Sequence, residues 1–442
     1  MTDTEPPYPR RSHAWQAVGV LAIATVFSYL DRQLLYILVD PIRQTLGFTD
    51  TQLGLLQGMA FIVFYALFGL PIGRLVDRRN RRNIVIGGIV LWSGMTILCG
   101  VADDFWTLFA ARAGVGVGEA CLAPAAYSLI SDYFPQRLRG RAMACVVLAA
   151  PIGSGSSFLL GSLVLSLVPG ASQVDVPLVG PSFGWQIAFF AAGLPGLLIA
   201  LLLFTIREAP RRETVPALPD LEGVVAVPAT LWSFVRRNGA LLACFLGAAA
   251  MFAVTAYAVS AWMATYYLRH FGLPVGWVGV AIGILSIVAG TVGGLTGGWL
   301  SDFFSSRPWR GGRYNVICLA TLACVPFLVL WVAVGSVPLS IGLLLATHLI
   351  MNVVSVGIPS AMQEIVPNQF RGQIIAFLYL INGIFGVGVG SVSIALATDY
   401  LFVESGVRMS LLVLPPITMT LAFGLAMLGW RGYQRARMDM AG

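Results

Sequence analysis

The chain has 442 residues, of which 57% are hydrophobic and only 11% charged, with a mean hydropathy of +0.83. An average soluble domain is about a quarter charged, so a water-facing globular surface is excluded. The formal charge of +7 comes entirely from arginine, and those arginines are scattered through short connections, which argues against a nucleic-acid face.

From the N-terminus, MTDTEPPYPRRSHAW is basic and then apolar, as a signal peptide is. The apolar run is too long for one, however, and Asp31–Arg32 interrupts it before any small-residue cleavage site, so a retained first helix is expected. Twelve apolar runs follow in order, near 14–39, 51–76, 83–102, 106–130, 141–168, 185–205, 239–268, 276–300, 313–334, 338–363, 372–396 and 408–430. Each is long enough to cross about 30 Å of hydrocarbon as a helix. The expected fold class is an all-α membrane protein of twelve transmembrane helices. The six cysteines all fall inside apolar runs, with no CxxC and no metal spacing, and read as core-filling residues.

Arginines divide unevenly between the two sets of connections. Twenty-two fall on the side of the chain termini, only Arg43, Arg269 and Arg408 on the other, and Arg32 and Arg112 stand inside spans. This bias places both termini in the cytoplasm. The longest polar segment, within 206–238, divides the chain into an N-terminal six-helix half (1–205), a linker and a C-terminal six-helix half (239–442). The halves echo one another. GRLVDRRNRR after span two corresponds to GWLSDFFSSR after span eight, and DYFPQRLRGRAMA after span four to EIVPNQFRGQIIA after span ten. Two motif pairs at equivalent places indicate a duplication, an architecture that usually puts a solute site at the midplane between halves.

GRLVDRRNRR resembles the loop signature of the major facilitator superfamily, G-x-L-x-D-R-x-x-R-R, with Asn80 where that family usually has glycine. YLDRQLLYILVDPIRQTLGFTDTQLGLLQGMAF and ARAGVGVGEACLAPAAYSLISDYFP are similar to the Spinster group of that superfamily. The resemblance implies the major facilitator fold and alternating access. It further implies a lipid-like solute of the lysophospholipid or sphingoid kind. A small organic anion taken up with protons is the alternative. No cofactor beyond a proton gradient is implied, nor any enzyme activity, and a monomer in a bacterial inner membrane is expected.

Four charges stand within spans: Asp31, Arg32, Arg112 and Glu119. An unpaired charge at the bilayer centre costs about 2.5–3.5 kcal/mol on insertion scales, so all four must face protein or water. Arg112 and Glu119 share a helix face but lie about 10 Å apart along the axis, and adjacent Asp31 and Arg32 diverge by about 100°. Each therefore seeks a partner on another helix, and a crossed pair such as Arg32–Glu119 is sterically plausible. The alternatives are a proton-coupling site of Asp31, Arg32 and Glu119, which the Spinster resemblance also implies, or a fixed ion-pair network. Arg112 matches the arginine the superfamily carries in span four. It reads either as an anchor for a phosphate or carboxylate or as a partner of Asp31.

Asp77 and Asp302 are expected near the starts of spans eleven and five, beside Arg371 and Arg139, as paired latches on the cytoplasmic side. Gly73, Arg78, Arg81 and Arg82 belong to the same motif, with roles in gating or topology. GVGVGEA (114–120) lacks the third glycine of a dinucleotide loop and follows no strand, so close helix packing is expected. In the second half, His348 and Asn352 share a face of span ten, as a buried hydrogen-bonded pair or else a solute contact, and Tyr257, Trp262, Tyr266 and Asn382 are candidates to line a cavity. No carboxylate stands at the centre of that half, which leaves an apolar wall suited to an acyl chain.

Overall fold

The computed structural model describes residues 8–170, 172–177, 179–211, 231–307, 311–403 and 406–441. Twelve helical spans run through it: Arg11–Leu46, Asp50–Arg78, Arg81–Gly100, Phe105–Tyr133, Gln136–Leu167 and Gly184–Leu203, then Gly239–His270, Val275–Ser306, Tyr314–Ala333, Val337–Ile365, Gln369–Leu401 and Gly406–Met438. These are spans one to twelve below. Odd-numbered spans leave the end of the bundle that carries the termini (the terminal end) and arrive at the opposite, far end. Most of the linker between spans six and seven lies outside the described residues.

Local chemistry sets the span boundaries. Span one continues through Pro41 to Leu46 and stops where Gly47 takes a left-handed conformation, φ 70°. Span two opens on a capping box, in which Thr49 and Gln52 each bond the other's backbone amide, at 2.9 and 3.2 Å. Asp104 starts span four by accepting from the Trp106 and Thr107 amides. Those bonds and the Thr107 hydroxyl hold its carboxyl below the usual carboxylate range. A short antiparallel hairpin, Gln173–Val176 with Gly180–Phe183, joins spans five and six at the far end. Nothing in the hydropathy pattern announces it.

The sequence echo between halves extends to individual atoms. Arg139 Nε donates to the Phe134 carbonyl at 2.9 Å, and Arg371 Nε to the Val366 carbonyl at 3.0 Å. In both places a proline, Pro135 or Pro367, caps the following helix.

Several spans are interrupted within the membrane. Span one breaks at Leu34, span two at Gly58, and span four at Ala120–Cys121. Span eleven winds as a π-helix over Asn382–Gly390 and again over Ala397–Leu401. Breaks of this kind are tolerated where protein or water takes up the freed backbone groups.

Glycine makes the close contacts, as GVGVGEA suggests. A Cβ on Gly118 would stand 2.7 Å from the Trp92 amide nitrogen and 2.8 Å from the Gly88 carbonyl oxygen, and one on Gly116 would run into the Phe61 carbonyl. Between halves, Gly155 of span five meets Gly283 of span eight, and Gly58 of span two meets Val387 of span eleven. Cysteine placement differs from expectation at one position, because Cys145 is exposed while Cys99, Cys121, Cys318 and Cys324 are buried. Replacing Gly118 with alanine should cost about 1–3 kcal/mol by overpacking against backbone and lower the melting temperature. Gly140→Ala, which meets nothing within 4 Å, should leave it within error. Equal melting temperatures for the two would contradict this packing.

Candidate functional site

The intramembrane charges gather where the helices break. Asp31 and Arg32 immediately precede the break of span one, and Glu119 ends the first segment of span four. The crossed pair is present: Arg32 reaches Glu119 Oε2 through Nη2 at 2.6 Å and Nε at 3.2 Å. Ser28 donates to the same oxygen at 2.7 Å. Glu119 and Asp31 are fully buried, while the Arg32 side chain keeps 13% exposure. Its guanidinium lies over Phe61, 4.5 Å from the ring centroid, and beside Tyr29 and Tyr65 at 4.9 and 5.5 Å. That aromatic surround stabilises a cation in place of water.

Arg112 lies close enough to the Asp31 carboxylate to interact electrostatically, as one of the two sequence readings has it, and its hydrogen bonds go to backbone. It is 1% exposed, and its guanidinium donates to the carbonyls of Asp31 at 3.1 Å, Arg32 at 2.9 Å and, more weakly, Leu56 at 3.5 Å. Those carbonyls flank the breaks in spans one and two, where regular helical partners are lost. In this conformation Arg112 therefore braces two interrupted backbones and is not open to a solute headgroup. The Asp31 carboxylate takes its bond from Thr96, at 3.2 Å.

Around this cluster several buried polar atoms have no partner: Asp31 Oδ1, Glu119 Oε1, the Tyr36 hydroxyl and the Gln57 side-chain amide. Native interiors leave few such atoms, and each one calls for a reason. Two are carboxylate oxygens, the atoms on which a proton binds.

A row of tyrosines leads away from Arg32. Tyr257 of span seven is close enough to Arg32 and Tyr29 to interact electrostatically, and Tyr127 of span four and Tyr379 of span eleven are likewise near Tyr29. Tyr127 and Tyr379 are 43% and 60% exposed. These rings come from both halves and line the approach to Arg32 from the terminal end. Sequence reasoning found Tyr257 but missed Tyr29, Tyr65, Tyr127 and Tyr379, because a tyrosine in an apolar run resembles packing.

The other second-half candidates lie apart. Trp262 is wholly buried and donates to the Ser391 carbonyl at 2.9 Å, a packing contact and not a cavity wall. Asn352 donates to the His348 carbonyl at 2.8 Å and packs on Gly293 of span eight. His348 Nδ1 lies 3.2 Å from the Leu344 carbonyl, with Nε2 buried and unpartnered. Asn382 opens the π-helical segment with its side-chain oxygen also unpartnered.

The two ends of the bundle differ. At the far end, Arg269 of span seven donates to Asp40 at 2.7 Å and, in a fork, to both oxygens of Asp50 at 2.7 and 2.8 Å. Asp399 of span eleven accepts from the Thr51 amide at 2.6 Å and its hydroxyl at 2.7 Å. All these bonds cross between halves. At the terminal end the expected latches are undone. Asp77 and Arg78 are exposed. Asp302 pairs with Arg313 of its own half at 3.1 Å. Gly73 has open space where a Cβ would stand. Arg81 and Arg82 take no part in a cross-half contact. Arg81 is fully buried and bonds Asp132, Ser128 and Glu208, while Arg82 reaches the Ile206 carbonyl at 3.1 Å. They staple the first half together internally. Cross-half bonds thus hold the far end, and among the described residues none ties the terminal end.

Such a fold, with charges at broken helices between two halves, is that of a membrane transporter. The model of the Major Facilitator Superfamily matches residues 21–391, and the chain belongs to that family. It is 29% identical over 400 residues to an MFS-type efflux pump of Mycolicibacterium smegmatis, covering 90% of this chain and 87% of that one. It is 30% identical over 257 residues to human protein spinster homolog 1, covering 57% of this chain and 45% of the human protein. Its fold matches the crystal structure of a bacterial homolog of the human lysosomal transporter Spinster in an inward-facing, unoccupied conformation. That match has a TM-score of 0.77 at 23% identity, over 98% of each chain. The chain is thus Spinster-like within the superfamily.

Replacing Arg269 with glutamine should weaken the far-end closure. Loss of this partly buried pair is worth about 2 kcal/mol, or roughly thirtyfold in the equilibrium between the two openings. Spin labels at positions 44 and 270 in a cysteine-free background should then show a longer distance population. An unchanged distribution would mean that these ion pairs do not hold the gate.

Proposed function

We propose that the protein is a proton-coupled exporter of an amphipathic, lipid-like solute that works by alternating access. It would sit in a bacterial inner membrane with the terminal end in the cytoplasm, as the arginine bias suggests. The observation that carries this reading is the lopsided bonding of Glu119. One oxygen accepts from Ser28 and twice from Arg32, while the other is buried without a donor. A proton arriving at Glu119 cancels the charge that holds Arg32, and Arg32 is the member of the cluster that still has solvent contact. Protonation and the position of Arg32 are then linked, and a group whose proton affinity differs between the two openings is what coupling requires. Asp31, with its own unpartnered oxygen one residue away, is the second titrating group of the same site. Tyr257 would meet the solute from the second half.

The tyrosine-lined approach supports an amphipathic solute, since tyrosine presents an apolar ring and a polar tip. Among the described residues, every buried carboxylate, namely Asp31, Asp50, Glu119 and Asp132, belongs to the first half. The second half thus offers an apolar wall. Symport of a small organic anion is the weaker alternative, because Arg112, its best anchor, is committed to backbone carbonyls.

In proteoliposomes, Glu119→Gln should reduce transport driven by a pH gradient by at least about tenfold, within the range of coupling energies for linked sites, while exchange without a gradient persists. Undiminished dependence on the gradient would leave Glu119 a purely structural role. A melting-temperature screen of lysolipids, sphingoid bases and organic acids should show stabilisation by the amphiphiles. Stabilisation by organic acids alone would favour the symport alternative.

A further inference from the structure

A cavity of about 630 Å³ opens at the far end, lined by Asp40, Arg43, Leu165, Leu268, Arg269 and Val275 among others. Its walls come from both halves: spans one and five on one side, spans seven and eight on the other. It is separate from the Arg32–Glu119 site. Where spans five and eight meet, a Cβ on Gly276 would stand 2.6 Å from Ser166 Oγ, and one on Gly279 would stand 2.7 Å from the Phe158 carbonyl. That seam holds spans five and eight together beside the cavity.

The charges in its wall are not balanced. Arg43 and Arg269 face the cavity with side-chain exposures of 47% and 25%, Asp40 with 17%, whereas Asp50 is 1% exposed behind the guanidinium groups. Arg43 is held only by long contacts, 3.3 Å to each oxygen of Asp50, so its fork retains strength for another acceptor. Beside the arginines the lining is aliphatic, with Leu165, Leu268 and Val275. A pocket of this size lined by both cationic and aliphatic side chains matches a molecule having an anionic head and a hydrocarbon tail.

We propose that this far-end cavity is a binding site for a single-chain amphiphile with an anionic headgroup of the phosphate type, held by Arg43 and Arg269. The site does not depend on what the central cluster transports. Its occupant competes with Asp40 and Asp50 for the arginine that ties the halves together, so occupancy favours opening of the far end.

The probe is dodecyl phosphate added to the protein in phosphatidylcholine nanodiscs, with inorganic phosphate and dodecyl maltoside as the head-only and tail-only arms. Dodecyl phosphate should bind saturably, and Arg43→Gln should weaken it about tenfold, as expected for loss of a charge-assisted bond. Arg43→Lys should recover part of that loss. Val275→Trp, which keeps every charge and fills the aliphatic part of the lining, should weaken it similarly, and Glu119→Gln should leave it unchanged. Far-end spin labels should report a longer population when the amphiphile is bound. Inorganic phosphate or dodecyl maltoside binding as tightly as dodecyl phosphate would overturn the ligand class. Unaltered affinity in both Arg43→Gln and Val275→Trp, or loss of binding only in Glu119→Gln, would place the molecule elsewhere and overturn the site.

Discussion

A guanidinium and a carboxylate in hydrocarbon cannot stand alone, and much of this molecule follows from how Arg32 and Glu119 meet that constraint. Removing one member of a buried pair leaves the other uncompensated, at about 3–5 kcal/mol. The pair is therefore surrounded by groups that make it tolerable: Ser28 on the shared oxygen and three aromatic rings around the cation. The bundle must also supply space at that depth for the solvent contact Arg32 retains. Broken helices provide it. Interrupting spans one, two and four at the level of the charges turns the chain aside, and the carbonyls left over become acceptors for Arg112. One arginine thus pairs with a carboxylate while the other secures the scaffold that holds them.

Ion pairs at the far end obey the same electrostatics with a different result. Arg269 bonds two aspartates of the opposite half at partial exposure, where an ion pair is strong enough to hold and weak enough to release. At the terminal end the equivalent cross-half bonds are absent among the described residues, although Asp77, Arg139, Asp302 and Arg371 are all present in the chain. A two-state transporter needs a closing set at each end, engaged in turn.

How much of this was legible in the sequence depended on whether the partner was another side chain. The twelve spans are legible because hydrocarbon thickness sets a length, and the halves because their motifs repeat. The Arg32–Glu119 contact follows from the cost of a charge together with helix geometry. The nearness of Arg112 to Asp31 is legible from charge, but its bonds to backbone carbonyls are not, because the breaks that expose them fall at Leu34, Gly58 and Ala120, residues that continue the apolar pattern without a signal. Arg43 and Arg269 passed for topology markers, although two arginines beside Asp40 and Asp50 on an otherwise arginine-poor side were the available hint. The latches at Asp77 and Asp302 illustrate a different limit. A sequence encodes both conformations of a moving molecule, while a single structure holds one.

The same contrast explains why the glycines carry little chemistry and much mechanism. Gly155 against Gly283, and Gly58 against Val387, bring backbone onto backbone where the halves touch. Side chains interlocked across those seams would resist sliding, whereas bare backbone surfaces allow rotation with little change in contact. Span eleven adds a π-helical stretch of Asn382–Gly390 at the same level as the break in span two, so both partners of that crossing are already irregular. Among the described residues the strong cross-half bonds therefore sit at the far rim, and the seams below it are smooth.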